Sequence, residues 1–153
     1  ALGTILYNMK GGLVVWFKAH KVGQFLSVKK GAAGGDLSSS MLSVQFILSK
    51  HHQRPTIMFD EIDTGVSGAI SNKMASIMQE MSRYMQVFTI THLPQIAAKG
   101  NAHFKVFKTE KNNTTITPLK PLNSEERWEE IAQMLGGLNL TAYAKANAKQ
   151  LLN

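Results

Sequence analysis

The stretch Thr56-Ile-Met-Phe-Asp-Glu-Ile-Asp63 predicts more about the fold than any other part of this chain. Four residues that favour a strand, Thr56 to Phe59, are followed at once by two adjacent carboxylates, Asp60 and Glu61. Two of the four are β-branched and two are large and apolar, so we expect a strand covered on both faces. Because open α/β sheets bind ligands at the carboxyl ends of their strands, both carboxylates are predicted to border a binding crevice.

The carboxylate pair indicates one half of a nucleotide site. Asp60 is suited to supporting Mg²⁺, most simply through a bound water, and Glu61 to orienting or deprotonating a second water. That pairing is typical of a Walker B segment, where the second water attacks the γ-phosphate of ATP. The matching Walker A loop, GxxxxGK[ST], occurs nowhere in the 153 residues. Any function must therefore be explained from an incomplete site.

The composition is that of one ordinary globular domain. Hydrophobic residues make up 44% of the chain, and the absence of cysteine excludes disulfides and thiolate metal sites. No apolar run approaches the roughly 20 residues that cross a membrane, and we expect no signal peptide because no charged segment followed by an apolar stretch begins at Ala1–Thr4. The formal charge of +7 permits contact with nucleic acid, but the lysines are scattered rather than grouped in one run.

Hydrophobic periodicity predicts strands alternating with helices in the first two thirds of the chain. The predicted elements are, in order, strands at Leu13–Phe17 and Gln24–Val28, a helix at Leu37–Lys50, the strand that begins at Thr56, a helix at Ala69–Tyr84 and a strand at Gln86–Thr91. This alternation implies crossover connections and a mainly parallel sheet.

A hairpin and two helices are predicted to follow, after a short helix that begins at Pro94. The hairpin strands are His103–Phe107 and Thr114–Thr117, around a turn at Glu110–Asn113. Ser124–Arg127 is interpreted as a capping box that opens a helix ending near Gly136, and the last helix covers Thr141–Leu152.

Two further segments lie where a ligand could reach them. Ala32-Ala-Gly-Gly-Asp36 precedes the first predicted helix, whose free N–H groups and dipole favour an anion. Taken alone, this segment also fits a flexible loop with Asp36 as a helix N-cap. Thr89-Ile-Thr-His92 ends a predicted strand, so His92 could face the crevice of Asp60 and Glu61 or serve as a structural histidine.

In this order, the segments resemble the C-terminal lobe of an ABC-type ATPase head. The resemblance is strongest to the RecN family of bacterial DNA repair proteins, relatives of the SMC proteins. It rests chiefly on two stretches, Asp60-Glu-Ile-Asp-Thr-Gly-Val-Ser-Gly68 and Ile90-Thr-His-Leu-Pro-Gln-Ile-Ala-Ala-Lys-Gly100. Further likeness lies in Glu130–Gly137 and in the C-terminal stretch from Ala144 to Leu152, and the whole covers about residues 22–153.

The resemblance implies a three-layer, P-loop NTPase-like fold, of which residues 1–153 form a single partial domain without its Walker A half. It implies ATP and Mg²⁺ as cofactors, DNA double-strand-break repair as the process and a cytoplasmic, nucleoid-associated location. Its implied partners are DNA, the N-terminal Walker A and coiled-coil half, and a second head that sandwiches ATP, with no membrane.

The resemblance also implies a role for each matching residue. Asp60 would serve Mg²⁺, Glu61 would be the catalytic carboxylate and His92 would sense the γ-phosphate. Asp63 would lie in the D-loop, across the interface between two heads. The signature loop, which binds the ATP of the opposite head, would be formed by Ala33, Gly34, Gly35 and Asp36.

That signature loop departs from the family's Ala-Ser-Gly-Gly-Glu pattern. Ala33 lacks the hydroxyl that would bond the γ-phosphate, Asp36 is one methylene shorter than glutamate, and Ser39 replaces the usual arginine. Losing one hydrogen bond to a charged ligand costs about 1.5–3 kcal/mol, so weaker binding is expected rather than none.

Two other functions remain open from the sequence. The +7 charge and altered signature loop are also consistent with a non-catalytic module that binds DNA or a protein. A Toprim-type Mg²⁺ site using Asp60, Glu61 and Asp63 is disfavoured, because neither Leu13–Phe17 nor Gln24–Val28 supplies the further glutamate it needs.

Overall fold

The computed structural model describes residues 2–7, 13–18, 26–27, 34–51, 54–111, 114–137 and 140–153. The strands in these ranges are β1 (Leu2–Tyr7), β2 (Leu13–Lys18), β3 (Leu26–Ser27), β4 (Thr56–Asp60), β5 (Gln86–Ile90), β6 (Phe104–Val106), β7 (Thr109–Lys111), β8 (Thr114–Ile116) and β9 (Leu119–Pro121). The helices are α1 (Gly34–His51), α2 (Gly68–Met81), α3 (Pro94–Ala97), α4 (Ser124–Gly136) and α5 (Ala142–Leu152). Among these helices, none is long and apolar enough to cross a membrane.

The predicted strand–helix–strand unit is present as β4, α2 and β5. The two strands pair in parallel, in a register that sets Thr56 opposite Gln86 and Asp60 opposite Ile90. The α/β fold class is therefore confirmed, although the parallel part of the described sheet structure is small. Strands β1, β2 and β3 form a separate antiparallel sheet in that order.

Only one face of the β4–β5 pair is covered by described residues. Ile57 and Phe59 pack into the core, whereas Met58 on the opposite face is 64% exposed. On β5, Phe88 and Ile90 are 42% and 52% exposed. The expectation that this strand is covered on both faces is therefore wrong for the described residues. The strand is apolar enough for two covered faces, but the described helices cover only one of them.

Helices α1, α2 and α3 build the covered side. Their buried apolar side chains form one cluster with Phe59: Leu42 from α1, Met74, Ala75, Met78 and Met81 from α2, and Ile96 from α3. Burying a side chain of this size contributes roughly 1.5–3 kcal/mol, so α2 supplies much of what holds the sheet. The methionines of α2 fill the core, as their spacing predicts.

A second cluster joins the C-terminal helices to the end of α3. Its buried members are Ala98, Ile131, Ala132 and Ala148. Arg127 of α4 reinforces this junction, because its guanidinium donates a 2.8 Å hydrogen bond to the carbonyl oxygen of Ala98. The small residues let α4 and α5 approach closely.

The hairpin region pairs differently from the prediction. The segments predicted as its two strands do not pair with each other: β6 pairs with β9, and β7 pairs with β8, both antiparallel. Both ladders follow the same antiparallel register along a single hairpin, with Lys111 opposite Thr114 on either side of residues 112–113. The apolar pattern indicated strands here but not their register, which depends on turn geometry.

The capping box of α4 lies one residue earlier than predicted. Asn123, not Ser124, is the N-cap: its side-chain oxygen accepts from the Glu126 N–H at 2.9 Å, and the Glu126 carboxylate accepts from the Asn123 N–H at 3.0 Å. Two otherwise unpaired N–H groups are thus satisfied reciprocally.

Replacing Asn123 with alanine should lower the free energy of unfolding by about 1 kcal/mol, the usual cost of losing an N-cap. Ser124→Ala is the matched control and should change it by less than about 0.5 kcal/mol. Urea unfolding followed by circular dichroism measures both. A larger loss in the Ser124 variant would restore the sequence-based assignment.

His103 should make stability depend on pH. Burial lowers its pKa from the ordinary value of 6.5, and the nearby Arg127 charge lowers it further. Because the folded state resists protonation, the unfolded state binds more protons as pH falls through 6.5, and stability decreases. Urea unfolding at pH 7.5 and 5.5 should show a smaller loss for His103→Gln than for wild type, with His51→Gln as control. Equal losses in His103→Gln and wild type would contradict this.

Candidate functional site

The carboxyl ends of β4 and β5 bring the predicted acidic pair to the edge of the sheet. Asp60 lies opposite Ile90, and the Glu61 N–H extends the ladder by donating to the Ile90 carbonyl at 3.1 Å. The Asp60 and Glu61 side chains are both exposed. Both carboxylates are therefore open to a ligand at the position that the sequence predicts.

Glu61 has an uncommon backbone conformation. Its φ is +45°, the only positive value at a non-glycine position among the described residues. A side chain in this left-handed region costs roughly 1–2 kcal/mol. The surrounding turn holds it there, since the Glu61 carbonyl accepts from the Thr64 hydroxyl at 3.1 Å. Such strain concentrates at functional positions, because the direction of the side chain matters there.

Asp63 is turned inward rather than toward solvent. Its side chain is only 1% exposed, and its Oδ2 accepts a hydrogen bond from the Thr91 hydroxyl. The same hydroxyl oxygen accepts from the Leu93 N–H at 3.0 Å. Among the described residues, the Asp63 carboxylate accepts a hydrogen bond only at Oδ2. Its predicted place across an interface between heads stays a prediction.

His92 lies beside the second oxygen of that carboxylate. Its Nδ1 is 3.6 Å from Asp63 Oδ1, and 63% of its side chain is exposed. Asp63 Oδ1 is buried and accepts no hydrogen bond from the described residues. The sequence therefore placed His92 correctly at this end of the sheet, although its nearest acidic partner is Asp63 rather than Asp60 or Glu61.

The turn after Glu61 also contacts the glycines at the start of α1. Gly35 is buried so closely that a Cβ added to it would lie 2.8 Å from the Gly65 carbonyl oxygen and 3.3 Å from Val66 Cα. Gly65 has a φ of +74°, which suits glycine. The pairing of the two glycine segments could not be predicted from the sequence, because they lie some 30 residues apart.

The signature segment differs locally from the prediction. Helix α1 begins at Gly34, so Asp36 lies inside its first turn, and the alternative interpretation of Asp36 as an N-cap is wrong. Ala33 lies outside the described residues. The roles of these residues toward a nucleotide stay predictions.

The described residues do not form a metal centre by themselves. No group of three or more His, Cys, Asp and Glu side chains among them could hold an ion. Asp60 is an exposed single oxygen ligand, which fits Mg²⁺ bound mainly by waters and phosphates. The inward turn of Asp63 also counts against a Toprim-type cluster with Asp60 and Glu61.

A groove of about 430 Å³ lies elsewhere, between α2, α3, α4 and α5, and Gln95, Lys99 and Asn147 are among its lining residues. It does not include the acidic pair or His92. The candidate site, as the described residues form it, is a solvent-exposed edge of the sheet.

Comparison with solved structures defines the class of fold. A chain from a study of ATP-driven dimerization and DNA-stimulated activation of SMC ATPases aligns with a TM-score of 0.66, covering 90% of this chain and 84% of that one at 18% identity. The Smc head domain of Pyrococcus yayanosii aligns with a TM-score of 0.69 over 86% of this chain, at 19% identity. The fold is that of an SMC-type ATPase head.

Curated sequences narrow the class to one protein family. The chain is 41% identical over 126 residues to the DNA repair protein RecN of Bacillus subtilis, and 39% identical over 127 residues to RecN of Rickettsia conorii. These matches cover 82% and 83% of this chain but only 22% and 23% of those proteins. No protein-family model matches. The chain carries a RecN-type segment, which confirms the resemblance predicted from its motifs.

Gly35→Ala should destabilise the chain by about 1–3 kcal/mol, because the new methyl group would overlap the Gly65 carbonyl oxygen. Gly68→Ala is the matched control: it also lies in the first turn of a helix, and its nearest neighbour would be Gln95 Nε2 at 3.9 Å. Thermal and urea unfolding should separate the two variants. Equal stabilities would show that α1 does not pack on this turn.

Proposed function

We propose that this chain supplies the Walker B and signature-loop side of a RecN-like ATPase head that acts in DNA double-strand-break repair. The observation that carries the proposal is that three features meet at the turn of residues 61–66. The turn holds Glu61 in a strained, exposed conformation, its Asp63 lies next to His92, and its Gly65 packs against Gly35. The three predicted elements of a nucleotide site thus meet at one turn.

Each residue has a distinct proposed task. Asp60 supports Mg²⁺ through an ordered water, and Glu61 orients the attacking water and accepts its proton. His92 contacts the γ-phosphate. Bound ATP with Mg²⁺ would supply the phosphoryl group and the charge that neutralises it in the transition state.

The signature loop is proposed to act on the ATP of a second head. Residues 33–36 would present backbone N–H groups at the N-terminus of α1 to the γ-phosphate. Ala33 weakens this contact relative to the family pattern. The proposed head-to-head assembly is supported by the likeness to SMC heads.

We propose that the chain depends on the Walker A half of such a head. This is supported by the face of β4 and β5 that the described residues leave uncovered, where Met58, Phe88 and Ile90 present apolar surface that a parallel sheet normally buries. The proposed location is the cytoplasm, near the nucleoid, and the proposed wider partner is DNA.

The isolated chain should show no detectable ATP hydrolysis, because the described residues lack a phosphate-binding loop and the sequence has no Walker A motif. Phosphate release at saturating ATP and Mg²⁺ is the measurement. Turnover in the isolated chain that disappears in Glu61→Gln would overturn this expectation.

Joining the chain to a Walker A half from a RecN relative should restore hydrolysis. In that complex Glu61→Gln should lower kcat by at least about 100-fold, as expected for loss of general-base catalysis. Glu129→Gln, at an exposed glutamate on α4, is the control and should leave kcat unchanged. If the complex keeps its activity in Glu61→Gln, Glu61 is not the general base.

A DNA-binding module without chemistry is the second candidate. Five lysines, at positions 10, 18, 21, 29 and 30, precede the first acidic residue, Asp36. Binding to duplex DNA that falls steeply with salt and is indifferent to ATP would favour it.

A further inference from the structure

We propose that Asp63 is a positioning residue for His92: it holds the neutral imidazole in the Nδ1–H tautomer, so that Nε2 is the nitrogen offered to a ligand. Thr91 holds Asp63 in place for this task. The inference rests on the proposed function for its consequence at phosphate, but its geometry lies wholly within the described residues.

The hydrogen-bond pattern of Thr91 fixes one side of the arrangement. Its hydroxyl oxygen accepts from the Leu93 N–H, and its single hydrogen is donated to Asp63 Oδ2. The carboxylate is therefore anchored through Oδ2, whereas Oδ1 is the oxygen next to His92 Nδ1. An ionised carboxylate accepts hydrogen bonds and donates none.

The other carboxylate oxygen fixes the tautomer. Asp63 Oδ1 is buried and accepts no hydrogen bond from the described residues, and His92 Nδ1 is 3.6 Å away. An unpaired buried oxygen is costly, so the nitrogen facing it is favoured as a donor. In a neutral imidazole only one nitrogen carries hydrogen, which leaves Nε2 with its lone pair.

This arrangement determines what His92 does at a ligand. A neutral His92 accepts a hydrogen bond at Nε2 from water or from a protonated phosphate oxygen. To donate to an ionised phosphate oxygen, Nε2 must first take a proton from solvent, and Asp63 then provides the counter-charge. Asp63 thus sets both the direction and the charge balance of the ring without touching the ligand.

The test reads the tautomer of His92 directly in the isolated chain, without nucleotide. Long-range ¹H–¹⁵N NMR of the ¹⁵N-labelled protein at alkaline pH distinguishes protonated from unprotonated ring nitrogens. The His92 signals are assigned by their loss in His92→Gln. Wild type should show a protonated Nδ1 and an unprotonated Nε2, and a predominant Nε2–H form would overturn the proposal.

Asp63→Asn gives the sharper comparison. Its amide oxygen accepts the Thr91 hydroxyl, so its NH₂ group faces His92 Nδ1, which must then carry the lone pair; the tautomer should invert to Nε2–H. Asp60→Asn changes a neighbouring carboxylate that forms no ion pair or hydrogen bond with the His92 ring among the described residues, and should leave the tautomer as in wild type. An unchanged tautomer in Asp63→Asn would contradict the assignment.

Thr91 variants keep the proposal testable where the buried Asp63 variant does not fold. Thr91→Val removes the anchoring hydroxyl and should shift part of the population to Nε2–H, whereas Thr91→Ser should retain the wild-type tautomer. Equal spectra for Thr91→Val and Thr91→Ser would overturn the role of Thr91. Because nucleotide is absent, a failure of the ATPase proposal leaves these results intact, and a wrong tautomer leaves the ATPase proposal open.

Discussion

The contact between the Thr91 hydroxyl and the buried Asp63 carboxylate organises the candidate site. It joins the loop after β4 to the loop after β5, and so links two segments 28 residues apart. Without it, the two strands would still pair and the Glu61 N–H would still donate to the Ile90 carbonyl, but the turn at residues 61–66 would lose its side-chain link to the loop after β5. Glu61 and His92 therefore depend on a hydrogen bond between two residues that need not touch the nucleotide themselves.

The sequence predicts the central unit of the fold because the signals there are local. The apolar runs of β4 and β5, and the helical spacing of the α2 methionines, identify each element from its own residues. The strand pairing in the hairpin region could not be predicted in this way, because the register of short strands depends on the geometry of the turn and not on composition. The one-sided burial of β4 was also beyond prediction, because a strand's residues do not reveal which faces the rest of the chain will cover.

The site was predictable in its residues but not in its connections. Asp60, Glu61 and His92 stand out because each follows an apolar run that ends at the same edge. The inward turn of Asp63 and the packing of Gly35 on Gly65 depend on contacts between distant segments. Nothing in the sequence except its position next to His92 indicated a role for Thr91, since threonine is common at the ends of strands.

Because the backbone at Glu61 is left-handed, the residue that would be most stable there is not the residue that the proposed activity needs. Glycine adopts this conformation without the steric cost that glutamate bears, so a search for more stable variants would favour Glu61→Gly. Such a variant would lose the carboxylate proposed as the base. Stability screens on this chain would thus select against its proposed chemistry.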